Sequence, residues 1–226
     1  MYYDATMERS SSFSLSKVFG WLFMAMGITA VTAYGFAFLF MSNLISGEAV
    51  AGIMIAAILL MFIETFVIQY RVIRNNKSLM IPYIVYSLTM GVMLSTVIAV
   101  VNSVYIALAF GITAGLFGVM ALYGYLTKRN LNTMGALAFT LLLGSVIVSL
   151  INIFMGSSTI DWIVSFVSFG AIMLFVSFDM WRIKKIAESG MGSSNLCLYC
   201  AFQLYIDFIY IFMRVISFMA RIANNR

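Results

Sequence analysis

Seven long apolar stretches, separated by short polar segments, run along the chain. Each is close to the ~20 residues that a helix needs to cross the hydrocarbon core of a bilayer. The first begins at Val18 and is too long for the apolar core of a signal peptide, so we interpret it as a retained span. The pattern predicts an all-α polytopic membrane protein with one transmembrane domain, residues 1–226, and a cytoplasmic tail, residues 1–17. The seven predicted transmembrane helices cover residues 18–41, 49–70, 79–100, 104–126, 131–155, 160–181 and 196–219.

The uncharged segment 78–127 is 50 residues long, so it must contain two helices, and we expect the break near Asn102. Pro82 falls in the first turn of the third helix, where its missing N–H is harmless. In the fourth helix, the Gly111-x-x-x-Gly115 spacing predicts close packing against a neighbouring helix.

Basic residues lie almost entirely on one side of this predicted topology. The tail and the even-numbered connections contain 10 of the 13 basic residues. The odd-numbered connections contain no basic residue, and their charged residues are the acidic Glu48 and Asp161. The positive-inside rule therefore places the N-terminus in the cytoplasm. The ten basic residues are Arg9, Lys17, Arg71, Arg74, Lys77, Lys128, Arg129, Arg182, Lys184 and Lys185.

The seventh helix is unusual because it contains Asp207 near its middle and Arg214 further along. Ionisable side chains that face lipid are costly. We therefore expect helix seven to be central and surrounded by the other six.

Composition excludes several classes of function. The chain is 63% apolar and 9% charged, against roughly 25% charge in soluble domains, and it has no histidine. Catalysis or metal binding by histidine is therefore excluded, and no lysine lies in an apolar core to hold retinal. We interpret Cys197 and Cys200, a C-x-x-C, as two small apolar residues one helical turn apart. We expect no cofactor and no nucleic-acid partner.

The ionisable residues inside the predicted spans are Glu64, Asp179, Asp207 and Arg214. Helix six is expected to continue beyond residue 181 to a turn at residues 190–194, and helix seven to restart with Asn195 as its N-cap. Asp179 precedes Gly190 by 11 residues and Asp207 follows Asn195 by 12, so both arms of this hairpin are roughly 17 Å long. The two carboxyl groups are therefore expected at one level.

Two facing carboxyls in a water-poor interior cannot both ionise freely, so the pair would share a proton and sense pH. The same pair is a weak Ca²⁺ candidate, because this ion prefers 6 to 8 oxygen ligands. In the alternative, each aspartate separately fixes helix packing, with Asp179 paired to Arg182. Glu64 either takes part or snorkels to the membrane edge. The candidate charge partners of the pair are Arg71, Arg74, Arg214 and Glu64.

Several segments resemble the Bax inhibitor-1/YccA family. Gln203–Phe212 (QLYIDFIYIF) is similar to the closing L-Y-x-D-F-I-N-x-F pattern of that family. Phe13–Trp21, with Thr29–Ala30, is similar to its entry into helix one, Tyr86–Ser95 to its third helix, and Phe178–Asp179 to the aromatic-Asp pair of its sixth. Differences include Tyr210 in place of Asn and an earlier arginine, Arg214.

The resemblance implies a central seventh helix and a pH-dependent calcium leak governed by Asp179 and Asp207. It also implies a latch arginine at the inner end of helix two, for which Arg71 and Arg74 are both candidates. Members of the family are tied to suppression of cell death and, in bacteria, to modulation of a membrane protease.

Three functions remain open from the sequence. The first is a pH-sensitive calcium leak channel or transporter, with Ca²⁺ and protons as partners. The second is a regulator that binds other membrane proteins, with structural aspartates. The third, an intramembrane aspartyl protease, lacks the Gly-x-Gly-Asp half of such enzymes, so we expect no enzyme. The short tails favour a multi-pass protein of a plasma membrane.

Overall fold

The structure, a computed structural model, describes residues 13–42, 44–74, 78–190 and 192–224. Within these ranges the chain forms seven α-helices, each long and apolar enough to cross a membrane, which confirms the predicted all-α class and helix count. Residues 1–12 of the predicted tail, with Arg9, and Lys77 lie outside the described ranges. The helices are α1 (Leu15–Met41), α2 (Gly47–Arg74), α3 (Met80–Val100), α4 (Ser103–Leu126), α5 (Asn132–Met155), α6 (Ser158–Ser189) and α7 (Ser194–Asn224).

The break between α3 and α4 falls where it was predicted. Asn102 lies between the two helices, and its Oδ1 accepts a hydrogen bond from the backbone N–H of Val104 at 2.9 Å. Pro82 is the third residue of α3, where no intrahelical bond to its nitrogen is needed. Local hydrogen bonding therefore divides the long uncharged segment into two helices.

The start of α7 differs from the prediction. Ser193, not Asn195, caps the helix, because its Oγ accepts from the N–H of Leu196 at 3.1 Å. Asn195 is already inside the helix, and its Oδ1 accepts from the N–H of Leu79 at 3.4 Å. At the other side of the turn, Gly190 follows α6 with φ +65°, a conformation that favours glycine. The predicted continuation of helix six is confirmed, since α6 extends to Ser189.

One compact unit consists of the described residues within Met1–Ile106 and Ser189–Tyr205. In this unit α1 and α2 both pack against α3. The hydroxyl of Thr29 donates to the carbonyl of Ser87 at 3.0 Å and shares a 2.6 Å hydrogen bond with the hydroxyl of Tyr205. Gly91 permits this approach, because a Cβ there would lie 2.6 Å from the Cβ of Thr32. The buried hydroxyls of Thr29 and Tyr205 thus have partners on other helices.

A second compact unit consists of the described residues within Ala107–Glu188 and Ile206–Arg226. Here α6 packs tightly on α4 and α5. A Cβ at Gly124 would overlap the carbonyl oxygen of Ser177, and a Cβ at Gly135 would lie 2.7 Å from the ring of Phe178. The side-chain hydroxyl of Ser177 donates a hydrogen bond to the backbone carbonyl of Met120 at 3.0 Å.

The predicted packing role of Gly111 and Gly115 is wrong for the described part of the chain. Both glycines are exposed, and no atom lies within 4 Å of a Cβ built at either position. The spacing of small residues shows only that one face of a helix has small side chains. Which face meets a neighbour is decided by the rest of the fold, and in α4 that face contains Gly124.

Candidate functional site

Asp179 lies on α6 and is buried, with 5% of its surface exposed. Its Oδ1 is 3.5 Å from the Nη2 of Arg182, which lies one turn further along the same helix. The guanidinium of Arg182 also lies 5.8 Å from the centre of the Phe178 ring. The continuous helix therefore gives Asp179 a positive partner at i+3.

Asp207 lies on α7, in the same compact unit as Asp179. Its Oδ2 is buried and has no hydrogen-bond partner among the described residues. The carboxyl of Asp207 is close enough to Asp179 for repulsion between two negative charges, and close enough to Arg182 for attraction. We call Asp179, Asp207 and Arg182 the acidic cluster. It brings together the two aspartates that the sequence placed at one level.

The net charge of the acidic cluster determines which ligands it can attract. With both carboxyls ionised, two negative charges face one positive charge, so the cluster has an excess of one negative charge. In a medium of low dielectric constant an uncompensated charge is costly. One bound proton removes the excess. The arrangement is therefore suited to bind one proton or to attract a cation.

Arg182 was recognised from the sequence only as an alternative partner of Asp179, not among the candidate latches. The signal that identifies it is the Asp-x-x-Arg spacing on a helix that continues past the predicted span. Arg71 and Arg74 lie at the end of α2. Arg71 donates from Nη1 to the carbonyl of Ser78 at 3.0 Å, and the guanidinium of Arg74 lies 5.0 Å from the ring centre of Tyr70. Their role as latches stays a prediction.

Glu64 does not snorkel to the membrane edge. It is 5% exposed, and both of its carboxyl oxygens are buried without a hydrogen-bond partner in the described ranges. Helical periodicity explains this orientation, because Glu64 shares the buried face of α2 with Ala57 and Ile68. The alternative of an interfacial Glu64 is therefore wrong, while its part in charge compensation stays a prediction.

Arg214 lies on α7, two turns beyond Asp207. Its Nη1 donates to the Oγ of Ser165 on α6 at 3.4 Å, and its side chain lines a cavity of about 310 Å³. Arg182 is thus the arginine beside Asp179 and Asp207, and Arg214 belongs to a second group of polar residues between α6 and α7.

Metal binding by the acidic cluster would need further ligands. The described residues contain no group of three or more His, Cys, Asp or Glu side chains that could hold a metal ion. Asp179 and Asp207 offer two carboxylates, and Ca²⁺ usually takes 6 to 8 oxygens, so carbonyls and water would have to complete the shell. Such a site suits an ion that passes through better than one that is stored.

The two cysteines lie buried on α7 and form no disulfide bond. The Sγ of Cys197 is 3.8 Å from the carbonyl oxygen of Ser14, to which it donates. This placement agrees with the interpretation of the C-x-x-C as small packing residues of a helix.

Comparison with known proteins identifies the family. The family model described as "Inhibitor of apoptosis-promoting Bax1" (Bax1-I) matches residues 12–225. The chain is 31% identical over 220 residues to the inner membrane protein YbhL of Escherichia coli strain K12, which covers 94% of this chain and 91% of YbhL. An uncharacterised protein of Borreliella burgdorferi is 28% identical over 223 residues, 93% of each chain. An uncharacterised protein of Rickettsia prowazekii, RP147, is 33% identical over 148 residues, 64% of this chain and 63% of that protein.

The family match covers nearly the whole chain, including all seven helices and both aspartates of the acidic cluster. The chain therefore belongs to the Bax inhibitor-1 (Bax1-I) family of membrane proteins.

Proposed function

We propose that this protein is a pH-sensitive calcium leak channel or transporter that is gated by Asp179 and Asp207. The observation that carries the proposal is the buried, unpartnered Oδ2 of Asp207 beside a second carboxyl and one guanidinium. This is a cluster whose net charge changes by one when it gains or loses a single proton.

In the protonated state the cluster is neutral, and the shared proton, together with the attraction of Arg182 for Asp207, holds α6 and α7 together. Loss of the proton leaves one uncompensated negative charge, so the two carboxyls repel each other and attract a cation. Calcium flux is therefore expected to rise as pH rises through the range in which the pair loses its proton. In this account Arg182 is the nearest latch, and Arg71 and Arg74 are further candidates for that role.

The proposed architecture places α7 at the centre of the helices. In an apolar 18-residue stretch of each helix, 61% of α7 and 56% of α6 are buried, whereas only 17% is buried in α2 and in α5. A helix with an aspartate and an arginine in its span needs such burial. The basic residues of the tail and even connections support a cytoplasmic N-terminus, and the name of the E. coli relative supports a plasma-membrane location.

The test is calcium flux into vesicles that contain the purified protein and a calcium-sensitive dye, measured across pH. The wild type should pass Ca²⁺ at a rate that rises with pH, and Asp207→Asn and Asp179→Asn should each abolish the pH dependence. Asp161→Asn is the matched control, because it makes the same change on α6 at an exposed aspartate outside the cluster. Flux equal to that of empty vesicles at every pH would reject the proposal.

One observation favours a second function, a regulator that binds other membrane proteins. The ion pair of Asp179 with Arg182 lies within one helix, and such a pair would also be expected if the role of Asp179 were purely structural. A partner recovered by crosslinking whose association survives both Asp→Asn substitutions, together with absent flux, would support this function. We propose no enzymatic activity in either case.

A further inference from the structure

A cavity of about 310 Å³ lies in the second compact unit, away from the acidic cluster. Its walls come from α5, α6 and α7 and are mainly apolar, with Leu142, Val146 and Ile172 among them. The polar residues that line it are Arg214, three serines and a tyrosine, which are Ser145, Ser149, Ser168 and Tyr210. An apolar cavity with a few convergent polar groups is typical of a ligand site.

Among the described residues, the charges around the cavity do not balance. Arg214 donates to the neutral hydroxyl of Ser165. The carboxylate within its electrostatic range, Asp161, is already paired with Arg221 at 3.2 Å and accepts from Asn152 at 3.3 Å. We call Arg214, Arg221 and Asp161 the basic cluster. Two guanidinium groups face one carboxylate in it, so an excess of one positive charge remains.

The depth of Arg214 makes this excess costly. Arg214 precedes Arg221 by seven residues, so it lies about 10 Å deeper along α7 than the exposed Arg221–Asp161 pair. An arginine at such depth is stabilised by an anion or by reaching the headgroup region. The cavity beside Arg214 provides the space for an anion to approach.

We propose that this cavity binds an acidic membrane phospholipid, with the lipid phosphate on Arg214 and the first part of one acyl chain against the apolar wall. A planar guanidinium suits a phosphate because it can donate two parallel hydrogen bonds. The cavity volume equals that of about ten water molecules, enough for a phosphate and a few methylenes but not for a whole lipid.

The remainder of the lipid stays in the bilayer beside α5. Val146 and Leu150, which line the cavity, are each 56% exposed, so the opening of the cavity is at the lipid-facing surface of this unit. The positive excess of the basic cluster selects an acidic over a zwitterionic headgroup, since the latter brings its own cation.

The experiment is native mass spectrometry of the full-length protein released from membranes that contain equal amounts of phosphatidylglycerol and phosphatidylcholine. The wild type should retain phosphatidylglycerol preferentially. Arg214→Gln should weaken this retention by about tenfold, the range expected for losing hydrogen bonds to a charged group. Arg129→Gln is the matched control, because it also removes one positive charge but at an exposed loop position.

Two further variants keep the test decisive if Arg214→Gln does not fold. Ser149→Trp fills the cavity while Arg214 is kept, and it should expel the lipid. Arg214→Lys keeps the charge but not the two-donor fork, and it should retain an intermediate amount. Equal retention of the two lipids by the wild type, or unchanged retention in folded Arg214→Gln or Ser149→Trp, would overturn the proposal.

Discussion

Two helices, α6 and α7, carry an excess of negative charge at one place and an excess of positive charge at another. The acidic cluster has two carboxyls and one guanidinium, and the basic cluster has two guanidiniums and one carboxylate. Each cluster therefore contains the same two kinds of group in the opposite ratio. In our proposals, the sign of the uncompensated charge decides which ligand each cluster attracts, a proton or cation at the first and an anion at the second.

The clusters also differ in burial. Asp179 and the Oδ2 of Asp207 are buried, whereas the side chains of Asp161 and Arg221 are 55% and 34% exposed. Exposed ion pairs contribute about 0–1 kcal/mol, because water screens them and long side chains lose entropy. Substitutions in the acidic cluster should therefore have larger effects than substitutions of the exposed pair.

The largest effect is expected from Gly124→Val, which tests the packing beneath the acidic cluster. A side chain at this position would collide with the backbone of Ser177, two residues before Asp179. Overpacking of this kind typically costs about 1–3 kcal/mol, and a collision with backbone belongs at the upper end. Thermal unfolding in detergent measures the loss. Gly115→Val is the matched control on the same helix, because no atom lies within 4 Å of its Cβ position, and equal losses in the two variants would contradict the packing described here.

A smaller effect is expected from Arg182→Gln, which removes the positive charge of the acidic cluster. Two carboxyls then remain without a cation, so the cluster should hold its proton more strongly and the rise of calcium flux should move to higher pH. Stability should fall by about 1–2 kcal/mol, less than for a fully buried pair because the Arg182 side chain is 35% exposed. Flux against pH and thermal unfolding are the measurements.

Lys185→Gln is the control for Arg182→Gln. Lys185 lies on the same helix and pairs at 3.4 Å with Glu188, but both side chains are more than half exposed. Its loss should leave both the flux profile and the unfolding temperature unchanged. If the flux profile of Arg182→Gln coincides with that of the wild type, Arg182 takes no part in gating.

The smallest effect is expected from Arg221→Gln, in the exposed pair of the basic cluster. Stability should change by less than about 1 kcal/mol. Asp161 then lacks its partner and would compensate Arg214, so retention of phosphatidylglycerol should fall, but less than in Arg214→Gln. Native mass spectrometry of the two variants side by side is the measurement, and a greater loss in Arg221→Gln would place the lipid phosphate on the wrong arginine.

Sequence reasoning predicted the parts of this structure that depend on one periodicity or on chain length. Apolar stretches predicted seven helices, and counting residues on either side of Gly190 predicted that Asp179 and Asp207 lie at one level, which agrees with the electrostatic interaction between them. It failed where the outcome depends on which face of a helix meets a neighbour. Glu64 points inward with Ile68, and Gly124 rather than Gly111 makes the close approach.

The cap of α7 shows a different reason for failure. Ser193 and Asn195 are both good N-cap residues, and the sequence does not distinguish them. Asn195 is used elsewhere, because its side chain accepts a hydrogen bond from Leu79, more than a hundred positions away in the sequence. A tertiary contact thus decided between two local signals of similar strength.

We propose that Asp179 and Asp207 share one proton because, among the residues that the structure describes, Arg182 is the one guanidinium beside them. Infrared difference spectroscopy of the purified protein across pH measures protonated carboxyl groups directly. In either single variant, Asp179→Asn or Asp207→Asn, the remaining carboxylate is balanced by Arg182 and needs no proton. We therefore expect each substitution to remove the same titrating carboxyl band, and Asp161→Asn to keep it. A band that survives in one of the two variants, or two bands that titrate independently in the wild type, would mean that the two aspartates do not share a proton.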